Sequence, residues 1–126
     1  MQYLLMIYVN EATRWGDEAL VNSMRDKYAT FTRDIIESGQ FKGGDGLLPS
    51  STATTVRVRN GKPLLTDGPF AETREQLAGY YLVEAANLDE AAAIAARIPD
   101  AEGGAVEVRP IRQLQQEEAR KFGRAS

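Results

Sequence analysis

The run Tyr3–Val9 (YLLMIYV) is apolar throughout. A strand with one face in water alternates, so an unbroken run of strand length predicts a strand covered on both faces. The polar NEATRWGDE segment breaks the run and reads as a turn. From Asp17 to Ser38 the period changes. Leu20, Met24, Tyr28, Phe31 and Ile35 recur at spacings of three and four, which lines them along one face of a helix. Asp17 suits the N-cap and Gly39 the stop.

Beyond a glycine-rich stretch, GQFKGGDGLLPSS, two strand-like runs meet at Asn60-Gly61, the preferred pair for a two-residue type I′ hairpin. That turn sets Arg59 opposite Lys62, Val58 opposite Pro63, Val56 opposite Leu65 and Thr54 opposite Asp67. Asp67 then shares a face with Leu65 and Val56. AGYYLVEA (Ala78–Ala85) is a further strand, apolar on both parities. NLDEAAAIAARIP follows as a helix, with Asn87 and Glu90 in capping-box spacing and a stripe of Ala91, Ile94, Ala95 and Ile98. AVEVRPI is the last strand. The order β-α-β-β-β-α-β predicts one α+β domain over 1–112, a ferredoxin-like antiparallel sheet with an inserted hairpin. A polar tail over 113–126 follows, with a Glu117–Lys121 pair suited to a helix. Two helices cover one sheet face only. The second apolar face predicts a homodimer, a second copy being its cheapest cover.

Composition narrows the chemistry. The 126 residues include no histidine and no cysteine. Ser-His-Asp and Cys-His nucleophiles, imidazole bases and thiolate metal sites are therefore excluded within the chain. No EF-hand-like clustering suggests an oxygen-ligand site, so neither metal nor cofactor is expected. A GGDG cluster without a following helix or a P-loop lysine is weak evidence for phosphate. Net charge −3 and a pI near 5.0 argue against nucleic acid as a direct partner. The N-terminal apolar run is too short for a membrane span and lacks a cleavage pattern, which predicts a soluble, cytoplasmic protein.

The strings STATTVRVRNGKPLLTDGPFAETREQLAGYYLVEAANLDEAAAIAARIP and GGAVEVRPI resemble the YCII-related family in its DGPF branch. The resemblance runs from MQYLLMIY to VEVRPI and implies a dimeric α+β barrel, two sheets packed face to face around a cavity. It brings little settled function. Relatives in the wider barrel group isomerise lactones or dehalogenate small molecules, and DGPF-type proteins are often encoded beside extracytoplasmic-function sigma factors. The wider family has been suggested to use a His-Asp pair. This chain has no histidine, and Tyr28 and Glu37 stand roughly where its members would fall. A tyrosine can donate a proton but is a poor base near neutral pH.

Asp67 is the leading candidate for catalysis, with Tyr28 second. An aspartate at a strand end is usually explained by an Asx-turn to the N–H two residues on, but that residue is Pro69, which has none. A structural cap through another N–H is the plain alternative. Arg57, Glu72, Glu75 and Tyr81 are the candidate ligand-binding residues. For Arg57, Arg59 and Arg109 the alternative is a solvated charged face; for Tyr81, core packing; for Glu72 and Glu75, a short helical turn through Thr73. Trp15 reads as a lid or a loop anchor. The expected function is binding or transforming a small organic molecule near the dimer interface, by metal-free proton abstraction of isomerase or lyase type. The alternative is a non-enzymatic regulatory partner of a sigma factor.

Overall fold

The computed structural model describes residues 1–113 together with Lys121. Six strands and three helices follow one another: β1 (Gln2–Val9), α1 (Glu11–Arg14), α2 (Glu18–Glu37), β2 (Phe41–Gly46), β3 (Thr54–Arg59), β4 (Lys62–Asp67), β5 (Gln76–Glu84), α3 (Leu88–Ala96) and β6 (Ala105–Pro110). The main sheet has the order β2-β5-β1-β6, all neighbours antiparallel. This is the ferredoxin-like α+β arrangement expected. The β3–β4 hairpin forms a separate two-stranded sheet instead of adding to the main one.

The predicted caps form. Asp17 accepts from the N–H groups of Ala19 and Leu20, so α2 begins at Glu18. At the other end Gly39 takes φ +79°; its N–H bonds to Ile36 and that of Gln40 to Ile35, a Schellman closure. Asn87 caps α3 through the Glu90 N–H, but the Glu90 carboxylate accepts from Gln40 Nε2. NEATRWGDE holds more structure than a turn: Asn10 caps α1 by accepting from the Ala12 N–H.

Alternation along β1 sorts the two faces of the sheet. Tyr3, Leu5, Ile7 and Val9 are buried beneath the helices, with Tyr81 and Val83 of β5 opposite Leu5 and Tyr3. Phe31 and Ile35 from α2, Ala91, Ile94 and Ala95 from α3, and Ile98 just after it complete this core. Leu5 and Ile35 are 0% exposed, so truncating either to Ala is expected to cost about 2–5 kcal/mol. Leu20, expected in the same stripe, lies in the first turn of α2 and is 40% exposed. Leu4, Met6, Tyr8 and Leu82 face the other way and stay half-buried, an apolar sheet face with no helix over it among the described residues.

The hairpin has the predicted register throughout, Thr54 opposite Asp67 and Arg59 opposite Lys62. Asn60 and Gly61 both take positive φ, 53° and 76°, as a type I′ turn requires. No helical turn forms through Thr73; its hydroxyl instead donates to the Glu75 carbonyl, and Gln76 Nε2 donates to the Thr73 carbonyl. The polar tail, with the Glu117–Lys121 pair, lies outside the described residues apart from Gln113 and Lys121. No described helix is long and apolar enough to cross a membrane.

Candidate functional site

A cavity of about 420 Å³ opens between α2 and the β2 side of the sheet. Its origin is legible in the register. Gly44 and Gly46 on β2 pair with Tyr81 and Gly79 on β5, and Gly79 pairs with Ile7, so all three glycines fall on the helix-facing side. Where side chains would fill the space beneath α2, the sheet offers bare backbone. Gly44 and Gly79 also let the two strands approach closely. A Cβ on Gly44 would lie 2.8 Å from the Tyr80 carbonyl, and one on Gly79 2.9 Å from that of Asp45. A Cβ on Gly46 would meet nothing within 4 Å. The GGDG run is thus an edge strand whose missing side chains leave room, not a phosphate loop.

Ile7, Val21, Phe41 and Ala78 give the cavity an apolar wall. Its polar side is a buried cluster. Arg14, at the end of α1, donates from Nε to Asp100 Oδ1 at 2.7 Å and from Nη2 to Oδ2 at 3.3 Å. Tyr28 on α2 donates to the same Oδ2 at 2.6 Å. Asp100 sits in the turn after α3 and is 6% exposed; it is the buried carboxylate of the described chain. Its three donors come from α1 and α2, so the ion pair ties the β1–α2 connection to the α3–β6 connection across the mouth of the cavity. The neighbouring Gly104 is obligatory, since a Cβ there would lie 2.1 Å from the Tyr8 carbonyl.

Burial, and then the Asp100 carboxylate, push the Tyr28 phenol far above its ordinary value. It therefore keeps its proton at any physiological pH and serves as a donor, not a base. Burial also raises Tyr81, partly opposed by a 2.6 Å hydrogen bond with the Thr32 hydroxyl. Tyr81 lines the cavity with its edge against Phe31, ring centroids 5.2 Å apart. Trp15 stands at the mouth, with the Arg14 guanidinium 4.5 Å from its ring centroid. Among the described residues, no three His, Cys, Asp or Glu side chains gather as metal ligands.

Residues 1–115 match the YCII-related domain. The chain belongs to the YCII-related family. It is similar to an uncharacterised protein of Rhizobium meliloti (strain 1021), 38% identical over 115 residues, covering 88% of this chain and 92% of the relative. Within this YCII-related fold the candidates from sequence fall into two groups. Tyr28 and Tyr81 lie in the cavity wall. Asp67, Arg57, Glu72 and Glu75 belong to the hairpin and the segment leaving it, outside the cavity lining. Asp67 is exposed, and its carboxylate makes no hydrogen bond among the described residues. The chain turns there through the Gly68 N–H to the Ala53 carbonyl and the Thr55 hydroxyl to the Gly68 carbonyl, with Gly68 at φ +99°. Arg57 lies over the Phe70 ring at 4.9 Å. Arg109 pairs with Glu107 on the exposed end of β6. Glu37 is exposed at the end of α2, so the acid beside Tyr28 is Asp100.

Arg14 and Asp100 escaped the sequence reading. Both lie in short polar segments, TRWGD and IPDAEGG, where a charged residue is unremarkable. The available signal was the aspartate directly after Ile98-Pro99, where Pro begins a tight turn and draws the next residue under the helix.

Proposed function

We propose that this YCII-related protein, which its DGPF string assigns to the DGPF branch, binds a small organic molecule in the cavity between α2 and the sheet. The single observation behind the reading is the shape of that cavity: an apolar space floored by three glycines, with one buried Arg14–Asp100–Tyr28 cluster on its polar side. A mostly apolar pocket with a few convergent polar groups is the usual form of a small-molecule site. Proton transfer is the reaction class these groups fit. Asp100 offers the basic lone pairs and Tyr28 a phenol that keeps its proton. Asp67 is a separate proposal, tested through its own variant.

The molecule works as a homodimer in this reading. Support comes from the sheet face of Leu4, Met6, Tyr8 and Leu82, which an isologous partner would bury. Isolated two-stranded hairpins are marginal in water, and Val56, Val58 and Leu65 of β3–β4 are 57–68% exposed. The second copy would shelter them too.

The test is a fragment titration followed by ¹H–¹⁵N spectra. Binding should move the amides of Gly44, Gly46 and Gly79 and the Trp15 indole, and Gly46→Leu should abolish it while leaving the fold intact. Fragments that bind Gly46→Leu as well as the wild type would overturn the reading. The alternative, a regulatory partner acting through the tail, draws on the resemblance alone. It predicts that truncation after Ile111 abolishes sigma-factor binding.

A further inference from the structure

The Arg14 guanidinium carries five N–H groups, and Asp100 uses only those on Nε and Nη2. Nη1 is buried and finds no acceptor among the described residues. The side chain as a whole is 10% exposed, so this is a desolvated donor on a cation, the kind of group that is costly to leave unmatched. Arg14 lines the cavity, and the neighbour stacked on it is Trp15, itself 46% exposed and outside the core. An indole in that position can swing aside without disturbing the packing beneath it.

Charge selects the guest. Asp100 offsets Arg14, so those two residues alone leave the site neutral. Arg25, on the cavity-lining stretch of α2, makes no ion pair or hydrogen bond among the described residues. Two guanidinium groups therefore face one carboxylate across this wall. Asp45 lies at the rim, but register puts its side chain on the opposite sheet face, where it accepts from Tyr80 at 2.9 Å. The surplus of one positive charge, the orphaned Nη1 and the apolar wall of Ile7, Val21, Phe41 and Ala78 describe one class of molecule.

We infer that the cavity takes a small monocarboxylate with an apolar body, one carboxylate oxygen accepting from Arg14 Nη1 and the charge balanced by Arg25. This rests on the reading of the cavity as a small-molecule site and names its ligand class. The guanidinium's preference for carboxylates is geometric as well as electrostatic. Trp15 reports entry directly, because it is the single tryptophan of the chain.

The experiment is a titration of the full-length protein with cyclohexanecarboxylate and hexanoate against their primary amides, read by Trp15 fluorescence and calorimetry. Each carboxylate is expected to bind at least about tenfold tighter than its amide, as a charge-assisted hydrogen bond would give. The preference should vanish in Arg14→Met/Asp100→Leu, which removes both charges together. It should fall in Arg14→Lys, which keeps the charge but has no Nη1. The lysine variant also carries the test if the double variant does not fold. Carboxylates and amides binding equally, both lost in Gly46→Leu, would overturn the ligand class and leave the cavity reading standing. A carboxylate preference that survives both Arg14 variants would overturn the role of Nη1. Absence of binding by all four probes would overturn the inference and the cavity reading together.

Discussion

Removing one half of the Arg14–Asp100 pair is the sharpest perturbation available in this fold. In Asp100→Leu the guanidinium stays 10% exposed with Nε, Nη1 and Nη2 all unmatched, and the Tyr28 hydroxyl loses its acceptor. Breaking a buried pair from one side typically costs about 3–5 kcal/mol, because an uncompensated charge remains. Out of a total stability on the order of 5–15 kcal/mol, that is about a fifth or more. For a chain of this length it corresponds to a fall in Tm of roughly 10–20 °C. Arg14→Met should cost less, since the carboxylate left behind keeps Tyr28 as a donor. The double variant Arg14→Met/Asp100→Leu removes both charges and fills their space with apolar groups, and should recover most of the loss. Chemical denaturation of the four proteins closes the cycle. The expected coupling is about 2–3 kcal/mol, within the range for residues in one network. Additive single effects, or a loss below about 1 kcal/mol for Asp100→Leu, would refute the assignment of this pair as the tie between the β1–α2 and α3–β6 connections.

Tyr28→Phe deletes a hydrogen bond to a carboxylate and should cost about 1–3 kcal/mol at neutral pH. The raised phenol also sets an alkaline limit: above about pH 10 the unfolded chain releases the Tyr28 proton while the folded chain keeps it, so stability falls as pH rises. That component is fully present below pH 10, and denaturation curves from pH 9 to 11.5 should be flatter in Tyr28→Phe; parallel curves would refute it. Asp67→Asn should leave the Trp15 titrations unchanged, because the carboxylate is exposed on the hairpin; loss of binding would instead bring the hairpin into the site. Met6→Lys places a charge at the centre of the bare sheet face and should convert a dimer to monomers by light scattering, whereas a wild-type protein that is already monomeric would refute the homodimer.

Local patterns settled most of the elements, although β2 formed where the sequence read only a glycine-rich stretch. The helical stripe Met24, Phe31, Ile35, the Asp17 and Asn87 caps, the Gly39 stop and the Asn60-Gly61 turn each depend on residues a few positions apart, so the chain announces them directly. The two-faced apolar strands likewise announced a sheet with helices on one side. The site was another matter. Tyr28 and Tyr81 stood out as residues, but Asp100 is 72 positions from Tyr28 and 86 from Arg14, and the Pro99 turn that marks Asp100 says nothing of which residues it meets. The emphasis on Asp67 came from the chemistry of its own tetrapeptide, which says nothing about whether a cavity lies beside it. Gly44, Gly46 and Gly79 acquire meaning only once antiparallel pairing places them side by side. Only the packing of α2 over that bare backbone leaves space, and only the closure of the α3–β6 turn beneath α1 brings a buried carboxylate to it.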